Sequence, residues 1–324
     1  MMGPQSALNF GGTNSRVTGD LFWVFLILLG VIFLIVMAVA LISLMRRHRG
    51  IEQEPLEATH LPSAETERSL TRMVSGASIV TVLILLGLIV ASVSTGKAIS
   101  DRAMPSNHLT VEVTGNQWWW SVKYLSNDAS QIFTTANEIH IPVGVPVLIR
   151  GLSQDVIHSF WVPSLAGKRD LIPSRVTTIW IQAEHAGKYR GQCAEFCGLQ
   201  HAHMALWVVA ENQADFDKWI ANQRSDAPEP STPSEQQGRQ VFLDHTCVFC
   251  HSIRGTPASG QMAPDLTHIA GRMTIAAGTL PNNRGNLAGW IADPQSIKPG
   301  NHMSMVPISS EDMQPLLDYL ETLK

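Results

Sequence analysis

The sequence predicts a chain of three parts: a two-helix transmembrane hairpin, an all-β barrel or sandwich, and a small all-α domain. Three observations carry this reading. Two long apolar runs lie near the N-terminus, β-type alternation begins at Leu109, and a Pro/Ser-rich linker separates that region from a C-x-x-C-H motif. A length of 324 residues leaves room for two soluble domains besides the membrane spans. Charged residues make up 15% of the chain and the net charge is −4. That mild negative balance argues against nucleic acid as a partner, because phosphate binding needs clustered Lys and Arg.

Residues 1–20 read as an N-terminal tail and residues 21–95 as the hairpin. Leu21 to Met45 is an uninterrupted apolar run of roughly 25 residues, long enough to cross a bilayer as a helix. It is too long for a signal-peptide core, and no small-residue cleavage site follows it. The second run occupies residues 73–95, where Gly76, Gly87 and interspersed Ser and Thr suit close packing against other membrane helices. Arg46, Arg47, Arg49, Arg68 and Arg72 lie between the runs, whereas the tail carries only Arg16. The positive-inside rule then places the connecting loop in the cytoplasm and both termini outside. The expectation is a multi-pass protein of a bacterial cell membrane, with its soluble domains on the periplasmic or outer face.

Residues 96–224 form the predicted β domain. Leu-Thr-Val-Glu-Val at 109–113 alternates apolar and polar side chains, as a half-buried strand does. Short β-rich runs follow at 119–124, 138–141, 145–149, 175–181 and 205–209, punctuated by Pro142, Gly144, Pro163, Pro173 and Gly187. Many short strands with turn signals indicate a sandwich or barrel.

The four cysteines fall into two close pairs, each beside a histidine. A disulfide scaffold would join cysteines across the fold, and a chain of this size needs none, so metal or cofactor attachment explains the pairs better. Cys193-Ala-Glu195-Phe-Cys197-Gly-Leu-Gln-His201-Ala-His-Met204 offers two thiols, an imidazole and a thioether from one loop. His158 can add a second imidazole from an earlier strand end. Soft sulfur with imidazole and a weak thioether is the ligand set of electron-transfer copper, and a second thiolate allows two bridged coppers. The same four strong ligands could form a Cys2His2 zinc site. The methionine and the lack of a small independent zinc module favour copper.

This stretch resembles subunit II of cytochrome c oxidase. Gly-Asn-Gln-Trp-Trp-Trp at 115–120, Asp-Val-Ile-His-Ser-Phe-Trp-Val-Pro-Ser at 155–164, Asp-Leu-Ile-Pro-Ser-Arg at 170–175 and the cysteine loop stand in that family's order and spacing. The resemblance implies a cupredoxin-like barrel holding the binuclear copper centre called CuA. It implies that His158 and His201 each bind one copper, that Cys193 and Cys197 bridge both, and that Met204 and the Glu195 carbonyl are weak axial ligands. The Glu195 side chain would face subunit I, where family members hold a magnesium ion. Trp118 resembles the family's surface point at which electrons arrive, although core packing accounts for at least one of the three tryptophans. Two departures from the family pattern stand out. Ser174 occupies a turn position that is often glycine, which matters for docking of Asp170 and Arg175 onto subunit I if the turn needs a positive φ. Glu67 aligns with an acid at the mouth of a proton path, without the family's usual flanking sequence; a solvated loop charge is the plainer account.

Residues 225–234, Ser-Asp-Ala-Pro-Glu-Pro-Ser-Thr-Pro-Ser, form the linker, and residues 235–324 the last domain. A helix-compatible stretch at 235–244 leads into Cys247-Val-Phe-Cys250-His251. C-x-x-C-H is the attachment motif of c-type haem: each thiol adds to a vinyl group and the histidine becomes the proximal ligand. No further cysteine pair follows to complete a zinc site. A methionine should be the sixth ligand. In class I cytochromes c it lies in a loop ahead of a C-terminal helix, and residues 311–323 fit that helix. The resembling pattern Lys-Pro-Gly-x-x-Met puts the ligand on Met303, with Met305 next and His302 after it. Pro264 resembles the residue whose carbonyl takes the proximal histidine's free N–H. Trp290 resembles a haem-edge tryptophan or a core residue. The other histidines (48, 60, 108, 140, 185, 203, 245 and 268) read as surface or core residues.

The whole chain therefore resembles the oxidase class whose second subunit carries a fused cytochrome c, the caa-type haem-copper oxidases. The resemblance implies electron flow from a donor cytochrome c or respiratory complex III through haem c to CuA. From there electrons reach subunit I, where oxygen is reduced to water and protons are pumped, with subunit III as a further partner. This chain supplies no oxygen-binding ligands of its own. Two rivals remain at this level: the CuA-containing input subunit of a nitric oxide reductase, and a membrane-anchored copper carrier.

Overall fold

A computed structural model describes residues 3–49, 63–100 and 108–324; His60 lies outside them, as do the side chains of Arg47, His48 and Arg49. The chain divides into two compact units, Arg16–Ala103 and Met1–Ser15 with Met104–Lys324. The first unit is helical. Helix α1 spans Thr13–Arg49 and α2 spans Ala64–Ser100. Both are long and apolar enough to cross a membrane, and their large apolar side chains, such as Phe33, Leu34, Met73 and Val90, are exposed. Each helix outruns the predicted spans at both ends, because backbone hydrogen bonding continues past the apolar stretch. At the start of α2 the hydroxyl of Ser63 accepts from the Thr66 N–H, and Glu65 and Glu67 sit in the first turn, where carboxylates complement the helix dipole. Glu67 is therefore an exposed helix-start residue.

The β domain pairs two five-stranded sheets. Strands β1 (Leu109–Asn116), β2 (Trp119–Leu125), β3 (Phe133–Ala136), β4 (Glu138–Pro142), β5 (Val147–Ser153) and β6 (His158–Trp161) come first. They are followed by β7 (Arg169–Leu171), β8 (Thr177–Ile181), β9 (Gly187–Cys193) and β10 (Ala205–Glu211). One sheet runs β3-β2-β1-β5-β8 and the other β4-β10-β9-β6-β7. The β1–β5 and β10–β4 pairs are parallel and the rest antiparallel. Period-two alternation works as predicted: Val111, Val113, Trp120, Val122, Ile149 and Leu206 point between the sheets and are buried. Trp120 is a core residue, as one of the three tryptophans had to be. Helix α3 (Gln213–Arg224) adds Phe216 and Trp219 to the same core. This is a β-sandwich of cupredoxin-like form.

The turn at Ser174 has φ +63°, a conformation that costs a residue with a Cβ. Ser174→Gly should therefore raise stability by about 1 kcal/mol, seen as a higher denaturation midpoint by tryptophan fluorescence. An unchanged or lower midpoint would show that the turn carries no strain.

The C-terminal domain has its own core. Helix α4 spans Pro233–Asp244, α5 is the single turn Cys247–Cys250, and a two-stranded ribbon joins β11 (Thr274–Ile275) to β12 (Leu280–Pro281). Then come α6 (Arg284–Ala292), α7 (Pro294–Ile297) and α8 (Ser310–Thr322). Thr232 caps α4 in a capping box with Glu235, and Pro233 opens the helix, so the linker ends where the sequence supplies a helix start. Helices α4 and α8 cross so closely that a Cβ at Gly238 would lie 1.9 Å from the Pro315 carbonyl oxygen; only glycine fits there. Val241, Phe242, Leu316, Leu317, Tyr319 and Leu320 fill the crossing.

Candidate metal and haem centres

The first centre is assembled from two strand ends and one loop. Strand β6 begins at His158 and β9 ends at Cys193; the two strands pair in the same sheet, with Phe160 opposite Cys193. The loop from Ala194 to Met204 then returns to β10. Backbone bonds fix it: the Cys193 N–H donates to the Met204 carbonyl at 2.9 Å and the Ala194 N–H to the Ser159 carbonyl at 3.0 Å. The Cys193 and Cys197 sulfurs are 3.8 Å apart. Cys193 Sγ lies 3.8 Å from His158 Nδ1 and 3.2 Å from the Glu195 carbonyl oxygen. Cys197 Sγ lies 3.6 Å from His201 Nδ1 and 3.9 Å from Met204 Sδ. Among the described residues, His158, Cys193 and Cys197 form a buried group whose ligand atoms fall within 4.8 Å of one another. The six sequence-predicted metal residues thus come together.

The donor set fits metal. Both thiols are free, and their spacing is below twice a metal–thiolate bond of about 2.3 Å, so one ion can touch both sulfurs. A hydrogen bond from the Cys197 thiol drives the Cys193 pKa down, assisted by His158, while the same bond and burial push Cys197 up. Burial pulls His158 down, but Cys193 and Asp155 outweigh it, leaving its pKa raised. Asp155 Oδ1 lies 2.7 Å from His158 Nε2, so the carboxylate orients the ring and leaves Nδ1 for the metal. Gly115 is required beneath that ring: a Cβ there would sit 2.6 Å from His158 Cδ2. The Glu195 side chain is exposed while its carbonyl faces the sulfurs, separating the two roles expected of this residue.

Trp118 is 7% exposed, and its indole N–H donates to the Cys197 carbonyl at 2.8 Å. Its ring is 6.0 Å from that of His302 in the C-terminal domain. The tryptophan expected at the surface lies instead beneath this chain's own last domain. Sequence reasoning passed over Phe196 and Leu199, which are 76% and 80% exposed in the ligand loop; apolar side chains between metal ligands were the available signal.

The second centre starts from α5, a single turn from Cys247 to Cys250 that the His251 N–H closes on the Cys247 carbonyl. His251 Nδ1 lies 2.7 Å from the Pro264 carbonyl, which fixes the tautomer and leaves Nε2 for an iron. Burial lowers the His251 pKa, which favours the neutral ring a ligand needs. Met303 is half-buried; its N–H donates to Asn301 Oδ1 at 2.7 Å and its carbonyl accepts from Gln295 Nε2 at 2.8 Å. Met305 is 62% exposed. Trp290 packs against the domain core. Two free thiols, a neutral imidazole with one nitrogen committed, and a tethered thioether fit a c-type haem.

Residues 123–211 match the family described as cytochrome C oxidase subunit II, periplasmic domain, and residues 235–324 match the family described as cytochrome c. Cytochrome c oxidase subunit 2 of Alkalihalophilus pseudofirmus is 39% identical over 225 residues, covering 69% of this chain and 64% of that protein. The same subunit of a Bacillus species is 31% identical over 265 residues, 76% of this chain and 73% of that one. The chain belongs to the cytochrome c oxidase subunit 2 family. It spans slightly under two thirds of the first relative's length. The periplasmic domain of cytochrome oxidase subunit II from Bradyrhizobium japonicum superposes with a TM-score of 0.35 at 29% identity, covering 38% of this chain and 97% of that domain. Membership in the subunit 2 family implies copper in the β domain, and the cytochrome c match implies haem c in the last domain.

Proposed function

We propose that this chain is the electron-input subunit of a membrane-bound, proton-pumping haem-copper cytochrome c oxidase. With two coppers and one haem c bound, it would relay electrons from a donor cytochrome c or complex III through haem c to CuA and on to subunit I, where oxygen becomes water. His158, Cys193, Cys197, His201, Met204 and the Glu195 carbonyl would hold the copper pair, and Cys247, Cys250, His251 and Met303 the haem. The exposed Glu195 carboxylate is available to a magnesium ion at the subunit I interface. The exposed Phe196, with Val156 and Ile157 beside His158, offers apolar surface for that subunit, and subunit III would complete the assembly. Asp170 and Arg175, on either side of the Ser174 turn, would dock against subunit I as well. The arginine bias around the loop supports soluble domains on the outer face of a bacterial membrane. Glu67, at the exposed start of α2, is the candidate proton-path acid. Trp118 is the candidate route by which electrons arrive at the copper.

The observation that carries this reading is the paired sulfur geometry, two free thiols 3.8 Å apart with imidazole, thioether and carbonyl around them. Metal analysis and pyridine-haem assay of the purified protein test it. Two coppers and one haem c per chain are expected. Zinc alone in the β domain would overturn it.

A further inference from the structure

Lys298 is 2% exposed although it carries an ammonium group. Its Nζ donates to three backbone carbonyls: Trp118 at 2.8 Å, His203 at 2.7 Å and Ala276 at 3.1 Å. Two of these belong to the β domain and one to its own domain, so a single cation joins the two. Burial costs this group enough to lower its pKa to about 7. Lysine is rarely fully buried without partners, and among the described residues no carboxylate accepts it; three carbonyl dipoles do. Nothing in the haem attachment or in the metal ligand set requires a cation at this place.

The position explains it. Lys298 opens the segment that ends in Met303, and His203 lies between the metal residues His201 and Met204. The neighbouring Pro299 carbonyl accepts from Gln200 Nε2 at 2.7 Å, so the same two loops are tied twice. Trp118, whose carbonyl Lys298 holds, passes its indole N–H to the Cys197 carbonyl, and His302 lies against its ring. The axial-methionine loop is thereby pinned onto the residue that touches the bridging cysteine.

We propose that Lys298 is a positioning residue for electron transfer between the two centres, a bolt that fixes the methionine loop of the haem domain against the metal-ligand loop. The inference rests on the proposed function. The step at stake moves one electron from ferrous haem to the oxidised copper pair; the haem is oxidised, the copper reduced, and no bond is made or broken. Because transfer depends steeply on separation, loosening this seam slows it without altering either centre.

The test uses the full-length, copper- and haem-loaded protein. After flash reduction of the haem, reduction of the copper pair is followed optically in the parent, Lys298→Met and Lys298→Gln. Lys298→Met keeps the stem and removes the donors, and should slow transfer at least about tenfold, as expected when reacting partners lose a fixed geometry. Lys298→Gln keeps two donors and should fall between the two. Haem and copper spectra and both reduction potentials should be unchanged. Pulsed-EPR relaxation of the copper signal by oxidised haem, which reports their separation, should slow in the same order. A parental rate in either variant, with both centres present, overturns the proposal. If Lys298→Met loses a centre on folding, the Gln variant decides alone. A parent lacking the two-copper signal or the haem c band would instead overturn the functional reading beneath it.

Discussion

Replacing Cys197 by serine is expected to abolish the mixed-valence copper spectrum and leave the haem c spectrum intact. Cys197 Sγ is the hub of its centre, within 4 Å of the Cys193 sulfur, His201 Nδ1 and Met204 Sδ. A serine oxygen is nearly isosteric but hard, and its proton is not displaced near neutral pH, so it cannot bridge soft metal ions. The fold should survive, because the Cys193 and Ala194 backbone bonds that shape the loop do not involve the sulfur. The haem should also survive, because the two domains have separate cores. Copper stoichiometry, EPR and the reduced haem bands measure this on one sample. Persistence of the two-copper signal would dismiss Cys197 as a bridge, and joint loss of both spectra would show that the domains do not fold independently.

Much of the architecture is legible in the residues. The apolar runs predict both helices because a bilayer demands a length that few soluble helices reach. Six strands of the β domain are visible as β-rich runs, and β1 as alternation, since Val111 and Val113 face the core while their neighbours are less buried. In the β domain the strands that sequence reasoning missed are β3, β6, β7 and β9, and the reason is local. Strand β7 is a three-residue edge, too short to show a period. Gly187 and Gly191 interrupt β9 and look like turn signals, whereas Gly191 lies within the strand. Strand β6 has His158 and Ser159 fully buried, so a strand that positions a candidate metal ligand does not look apolar. Helix α3 is missed because its weak amphipathic pattern follows directly on β10.

The candidate ligand residues are readable because chemistry restricts them. Sulfur and imidazole converge in few ways, and C-x-x-C-H spaces two thiols and a ring along one helical turn. The arrangement of the two domains is not readable. Lys298 looks like a surface lysine in a Lys-Pro-Gly turn, and its burial arises only when three carbonyls from separate segments meet. Trp118 likewise reads as exposed until His302 is placed against it. The histidines set aside as core or surface include His140, which is clamped between Glu138 at 3.0 Å and Glu211 at 3.2 Å. Burial depresses its pKa, but the two carboxylates outweigh that and raise it. Carboxylates on two neighbouring strands make that pair, and a single-strand pattern cannot foresee it.

Met303→Leu is expected to open the sixth position of the haem iron, so that the reduced protein binds carbon monoxide rapidly and its reduction potential falls. Leucine matches methionine in volume, so packing is preserved while the thioether is removed. The choice of Met303 follows from what holds it. Gln295 Nε2 reaches both the Asn301 and Met303 carbonyls, and Asn301 Oδ1 takes the Met303 N–H. Asn301 is itself anchored to the Pro294 and Lys298 carbonyls. A backbone tied at so many points offers its side chain in one place, as an axial ligand requires. Met305, two residues on, is 62% exposed, and Met305→Leu should leave the carbon monoxide response at the parental level. If carbon monoxide binds only after the Met305 change, the tethered loop serves the domain seam alone and the ligand lies beyond it.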